Sequence, residues 1–261
     1  MRIMTFNLLC KGEGEHFMKN RREIAAQTIM EAHPDSLGVQ EATPAWMAWL
    51  SNNLPGYDHV GIGRDNGEKL GEHAAIFYLK DKYKVVDSGN FWISATPEVP
   101  SMGWDADCIR ICTWAVLENI QTGEQYAHIN THLDHRGTLA RTNGIQMILE
   151  KAAGFDMPVV CTGDFNTFEG SSEYKQLMGG TLRDSKFLAP DTMKNATFHH
   201  FELPTIETDI IDYILVNDKV TPLIYRVITE GIDGKFVSDH YPVYADVSGA
   251  LKSAFKTVNL N

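Results

Sequence analysis

The sequence predicts an α/β fold in which mixed sheets are covered by helices. Three observations predict it. Segments with helical spacing alternate with strand-like runs along all 261 residues, several strand-like runs follow one another with no helix between them, and the 43% hydrophobic, 22% charged composition is that of a globular chain. Taken in order, Ile3 to Phe6 and Ser36 to Gln40 read as buried strands. Between them Asn20 to Ala32 places Ile24, Ala25, Thr28, Ile29 and Ala32 at helical spacing, and His33-Pro34-Asp35 ends that helix. Thr43-Pro44 starts a second helix that carries Trp46, Met47 and Leu50 on one side and closes at Leu54-Pro55-Gly56. Strand-like runs follow at Ala74 to Leu79, Tyr83 to Asp87, Cys112 to Glu118 and Tyr126 to Thr131, with Asn119 to Glu124 as the turn of a hairpin. Leu139 to Ala153 is a third helix, with Ile145, Ile148, Leu149 and Ala152 on its apolar face and Gly154 as its cap. Val159 to Thr162, Ile210 to Val216 and Val243 to Val247 supply the remaining core strands.

No Gly/Ser-rich, Pro-rich or single-charge tract divides the chain, so one domain over residues 1–261 is expected. The formal charge of −11 lacks the general attraction by which proteins coat nucleic acid, so extended duplex DNA is disfavoured as a partner. No apolar run approaches the roughly 20 residues of a membrane span, and no apolar signal core follows Met1-Arg2, which predicts a cytoplasmic or already processed protein. The four cysteines form no CxxC pair, and Cys161 in an apolar run reads as a buried thiol.

Polar and acidic residues recur where the predicted strands end: Asn7, Gln40-Glu41, Gly163-Asp164-Phe165-Asn166, Asp212 and Ser238-Asp239-His240. Strands of one sheet can aim such groups at a common point. Carboxylates massed there repel one another unless a cation neutralises them, and an oxygen-rich set with Asn favours a hard ion such as Mg²⁺.

These segments resemble the endonuclease/exonuclease/phosphatase superfamily of metal-dependent phosphohydrolases. Thr5-Phe6-Asn7, Gln40-Glu41, Asn130-Thr131-His132, Gly163-Asp164-Phe165-Asn166, Ile211-Asp212-Tyr213 and Ser238-Asp239-His240 are similar to its motifs, in its order, over nearly the whole chain. The resemblance implies a four-layer α/β sandwich of two packed mixed sheets flanked by helices, with the site at one edge. It also implies a phosphoester hydrolase, a phosphodiesterase or a phosphatase, dependent on Mg²⁺ with Mn²⁺ as the alternative ion. Glu41 becomes the leading metal ligand, with Asn7 and Asp239 completing or closely supporting the ion. Asp164 would orient or deprotonate the attacking water, and Asn166 would donate to the phosphoryl oxygens. His240 is catalytic, as a base or as a charged phosphate clamp, with Asp212 fixing its ring; His132 would face it across the phosphate.

A second pattern overlaps the first. Asn130-Thr131-His132-Leu133-Asp134-His135 differs at one position from the H-x-H-x-D-H ligand motif of binuclear zinc hydrolases, so His132, Asp134 and His135 form a rival zinc set. That set leaves Asp164, Asn166, Asp239 and His240 without a role. A catalytically silent binding protein on the same fold is a further alternative, and the competent side chains at every matched position speak against it.

Substrate contacts are expected from Arg110 toward a phosphate and from Trp92, Trp104 and Phe198 toward a ring, with His199 as a pocket residue. The loop-like stretch Phe91 to Pro100, the Thr-Trp-Ala strand after Arg110 and Ala196 to Phe201 resemble small bacterial members related to the deadenylase-like branch. Arg64-Asp65 and Gly71-Glu72-His73 read as another wall of the cleft. The shorter Ser238-Asp239-His240-Tyr241-Pro242 signature and the acidic charge point to a small phosphoester or a short single-stranded nucleotide end, and no protein partner is implied.

Overall fold

Along the first strand Ile3, Thr5 and Asn7 alternate with Met4 and Phe6, and the alternation divides them between two cores. The computed structural model describes residues 1–201, 209–232 and 234–249. Residues 250–261 of the expected single domain therefore lie outside the described residues.

Strands are numbered along the chain. One sheet has seven: β1 (Arg2–Asn7), β2 (Ser36–Gln40), β3 (Tyr57–Val60), β4 (Ile76–Leu79), β10 (Asp191–Thr192), β12 (Val220–Val227) and β13 (Val243–Gly249), in the order β10-β12-β13-β1-β2-β4-β3. The other has six: β5 (Tyr83–Trp92), β6 (Ile111–Asn119), β7 (Gln125–His132), β8 (Val159–Asp164), β9 (Arg183–Asp184) and β11 (Asp212–Val216), in the order β5-β6-β7-β8-β11-β9. Both are mixed, since β1 runs parallel to β2 but antiparallel to β13, and β7 runs parallel to β8 but antiparallel to β6. Helices α1 (Met18–Ala32) and α2 (Pro44–Asn53) cover the first sheet, and α3 (Thr138–Ala153) and α4 (Ser172–Gly179) cover the second; α5 (Ser185–Leu188) is a single turn. The result is the α/β sandwich expected.

The strand period explains the layering. Ile3, Ile76, Ala115, Leu117, Val160, Ile214, Val243 and Ala245 meet between the sheets. Met4, Phe6, Leu37 and Val39 turn outward against Ala25, Ile29, Trp46 and Leu50 of the helices. Ile129 and Cys161 turn outward against Ile145 and Ile148. Cys161 is buried, as its apolar run suggested. α2 starts as its sequence dictates, with Pro44 in the first turn and the Thr43 hydroxyl accepting from the Trp46 N–H at 3.3 Å.

Some expectations are corrected. Phe91 and Trp92 belong to β5 rather than to a loop, paired with Cys112 and Ile111, because the outer hairpin extends to the edge of the cleft. The strands β3 and β12 and the helix α4 carry too short or too mixed a pattern to be read locally. β12 holds a Pro at position 222, where the ladder shifts register.

Candidate active site

At one edge of the sandwich the two sheets end together. Asn7 closes β1 opposite Gln40 at the end of β2, His132 closes β7 opposite Asp164 at the end of β8, and Asp212 opens the antiparallel β11 opposite Asp164. The period of two that sends Ile3 and Val160 into the inter-sheet core sends Asn7, Asp164 and Asp212 toward the same gap. Glu41 and Asn166, one and two residues past their strands, take left-handed backbone angles (φ 56° and 48°) that turn them back into it. Such angles are costly for residues with a Cβ and persist where the surroundings hold them.

The polar atoms form one connected set. Asn7 Nδ2 donates to Glu41 Oε1 at 3.1 Å and to Asp164 Oδ2 at 3.0 Å, and lies 3.5 Å from His240 Nε2. Asn7 Oδ1 accepts the Leu9 N–H, and Glu41 Oε2 accepts the Cys10 N–H at 2.7 Å. His240 Nδ1 is 2.8 Å from Asp212 Oδ2, while its Nε2 lies 3.8 Å from Asp164 Oδ2. His132 Nε2 lies 3.4 Å from Asp164 Oδ2 and 3.1 Å from Asn166 Nδ2. Asn166 also donates its backbone N–H to Asp164 Oδ1, so the Gly163–Asn166 turn is cross-braced. Asp239, 9% exposed, is oriented by the Ser238 hydroxyl.

Burial and charge act differently on each group. Burial and the neighbouring Asp212 push the Asp164 carboxyl up to about 7, against the pull of His240. Burial alone would lower His240, but Asp212, Asp164 and Asp239 outweigh it and raise the imidazole to about 10. His132 is held well below its ordinary value by burial, with Arg110 and Arg64 adding to the effect. Burial pushes Glu41 upward, yet hydrogen bonds from Cys10 and Asn7 and the charge of His240 bring it below the usual range.

The donor set fits a divalent cation. Asp164, Asp212 and His240 present ligand atoms within 4.8 Å of one another, and buried Asp212 Oδ1 has no hydrogen-bond partner. His240 faces Asp212 at 2.8 Å and has Asp164 3.8 Å from its other ring nitrogen, so these three are committed largely to one another, and beside them Glu41, braced by Asn7, and Asp239 form an oxygen-rich flank suited to a hard ion. The rival zinc set does not assemble. Asn130 is spent on the Val39 and Ala75 carbonyls, and both oxygens of Asp134 accept backbone N–H groups, from Asp107, Cys108, Arg136 and Gly137.

A cleft of about 410 Å³ opens over this edge, lined by Glu41, His132, Asp164, Asn166, Asp239 and His240 together with Arg64, Glu72, Arg110 and Phe198. Arg110 and Phe198 are thus brought to the cleft, the Phe198 ring 4.8 Å from that of His240. Trp92, Trp104 and His199 are not among the lining residues. Trp92 is buried behind the wall, its indole N–H donating to the Arg64 carbonyl, and Trp104 is exposed on its loop. His199 stacks on Tyr241 at 4.1 Å and accepts the Phe201 N–H, so it braces the loop below Phe198.

His135, expected only in the rival zinc set, lines the cleft too, and so do Cys10, Cys108, Phe168 and Ile211, which carry no site expectation from the sequence. From α1, Arg21 donates to the carbonyls of Leu8, Leu9, His16 and Val237, fixing the turn after Asn7. Nothing local in Asn20-Arg21-Arg22 distinguishes it from a solvated helix charge.

Residues 4–240 match the Endonuclease/Exonuclease/phosphatase family. Among solved structures the chain is similar to an endonuclease/exonuclease/phosphatase from Bacteroides vulgatus, at 35% identity with a TM-score of 0.91, covering 95% of this chain and 98% of that one. It is also similar to a mannosyl-6-phosphatase from Bacteroides thetaiotaomicron, at 32% identity with a TM-score of 0.90, covering 95% and 99%. An uncharacterized protein of Acanthamoeba polyphaga mimivirus is 25% identical over 186 residues, which are 65% of this chain and 64% of that protein.

Proposed function

The chain belongs to the endonuclease/exonuclease/phosphatase family of phosphohydrolases, and on that footing we propose that it is a Mg²⁺-dependent hydrolase of a small phosphoester. The observation that carries the proposal is the pairing of Asp164 with His240 across one gap, one carboxyl near neutrality and one imidazole above it. Two titratable groups whose surroundings push them apart suit a base and an acid or cation.

In this reading Glu41 holds the Mg²⁺, supported by Asn7 and Asp239. A Mg²⁺ held by these residues would supply charge neutralisation at the phosphoryl group and at the leaving oxygen. Asp164, ionised above about pH 7, orients the attacking water and takes its proton. His240, kept as an imidazolium by Asp212, clamps the phosphoryl group as a charged donor rather than acting as a base. Asn166, whose amide nitrogen lies 3.0 Å from the Leu133 carbonyl and 3.1 Å from His132 Nε2, would exchange one of these contacts to donate to a phosphoryl oxygen, and neutral His132 closes the far side. Hydrolysis forms a bond from water oxygen to phosphorus and breaks the ester P–O bond. One water proton goes to Asp164, and a proton returns to the leaving oxygen to give the alcohol. The similar mannosyl-6-phosphatase supports a small substrate, as does the size of the cleft.

Asp164→Asn tests the assignment, since it keeps the shape and removes the base. The expected result is a loss of about 100-fold or more in kcat with Mg²⁺ and an unchanged melting temperature. Parent-like turnover in the folded variant would remove Asp164 from the mechanism.

A further inference from the structure

The cleft has an acidic floor and a basic wall. Arg110 is 5% exposed and lines it, with Arg64 beside it. Asp134 lies 3.7 Å from Arg110 Nε, but the Asp134 oxygens are occupied by four backbone N–H groups, so the carboxylate holds the guanidinium by charge without taking a hydrogen bond from Nε. Buried Arg110 Nε has no hydrogen-bond partner among the described residues, while Nη2 lies 3.3 Å from His135 Nδ1. Arg64 grips Glu72 in a fork, at 2.7 and 3.0 Å, and its Nε is likewise buried without an acceptor. Both guanidiniums line the same cleft as His132, which lies 3.4 Å from Asp164 and 3.1 Å from Asn166.

A buried guanidinium with an unspent donor asks for an anion. A phosphomonoester carries about two negative charges above its second pKa of about 6 and three terminal oxygens. A diester carries one charge, and its second carbon arm replaces a terminal oxygen. Seated here, that arm would leave a buried N–H facing carbon, which is the arrangement that discriminates most strongly between ligands. We propose that Arg110, with Arg64 beside it, selects phosphomonoester dianions over phosphodiesters. The proposal rests on the hydrolase reading above and narrows its substrate class.

Two esters with one leaving group decide it: 4-nitrophenyl phosphate and methyl 4-nitrophenyl phosphate, assayed with Mg²⁺ at a pH above 7. The parent is expected to prefer the monoester in kcat/KM by at least about 10-fold. Arg110→Gln is expected to lower the monoester value by about 10- to 100-fold, the worth of a charge-assisted hydrogen bond, and the diester value by less than about 3-fold. Arg64→Gln, on a more accessible side chain, should act in the same direction and carries the comparison if the Arg110 variant does not fold. A parent that prefers the diester, or variants that lose both substrates equally, would overturn the selection by arginine while leaving the hydrolase reading in place. No turnover of either ester would overturn the hydrolase reading, and this one with it.

Discussion

His240 shows how a side chain gains a role from what stands behind it. Its ring is buried, which alone would make it neutral, but Asp212 at 2.8 Å reverses the balance. Asp212→Asn keeps a hydrogen-bond partner and removes the charge, so the imidazolium should lose its proton at lower pH. The pH profile of kcat/KM should then show its alkaline limb moved down by at least about one unit, and its acid limb, set by Asp164, should move down as well because the Asp212 charge that raises Asp164 is gone. An unmoved alkaline limb would mean that His240 does not act as the charged clamp. At this scale the sequence was most informative, because Asn7, Glu41, Asp164, Asn166, Asp212, Asp239 and His240 stand in short motifs at strand ends. The cleft walls were harder to read. Cys10 and Cys108 enter the cleft through loops whose path depends on tertiary contacts such as those of Arg21 and Asp134, and no local spacing encodes that path.

Between the elements runs a buried polar seam. Ser36 lies 2.9 Å from His128 Nδ1, and His128 Nε2 lies 2.8 Å from the Thr162 hydroxyl. Thr162 and Gln40 both donate to Asn130 Oδ1, at 3.0 and 2.7 Å, and Gln40 also donates to the Thr5 hydroxyl. The seam ties β1 and β2, which lead to Asn7 and Glu41, to β7 and β8, which end in His132 and Asp164. Only glycine fits at position 38, where a Cβ would come within 2.1 Å of Thr162 Oγ1 and 2.4 Å of Asn130 Oδ1. Burial lowers His128 to about 3, below its ordinary value of about 6.5. The unfolded chain therefore takes up the proton first, and the stability contributed by neutral His128 is complete above about pH 6.5 and lost as pH falls toward 3. That loss approaches about 3 kcal/mol by pH 4. His128→Gln should cost less stability at pH 4.5 than at pH 7 in denaturant unfolding, and an equal cost at both would contradict a neutral histidine in the seam. Alternation made these strands legible, whereas their partners in the opposite sheet were not, since His128 alone reads as any core histidine. The strand β3, of four residues, and the interrupted β12 gain their definition from pairing across the sheet, with β4 and β13.

Over the whole molecule, charge separates into an acidic surface and a cleft with basic walls. The net −11 opposes long polyanions, while in the proposed reading Arg64, Arg110 and His240 would attract a compact anion into the cleft of about 410 Å³. No helix among the described residues is long and apolar enough to cross a membrane. The six ordered motifs implied the architecture because a sandwich of this kind brings distant strand ends, from Asn7 to His240, to one edge. The central claim is that this edge hydrolyses a small phosphoester with a bound Mg²⁺, and its most direct measurement is turnover of 4-nitrophenyl phosphate by EDTA-treated, desalted protein before and after addition of Mg²⁺, Mn²⁺ or Zn²⁺. Activity should vanish on chelation and return with Mg²⁺, with Mn²⁺ as a substitute. Activity that survives chelation, or that returns with Zn²⁺ alone, would contradict it.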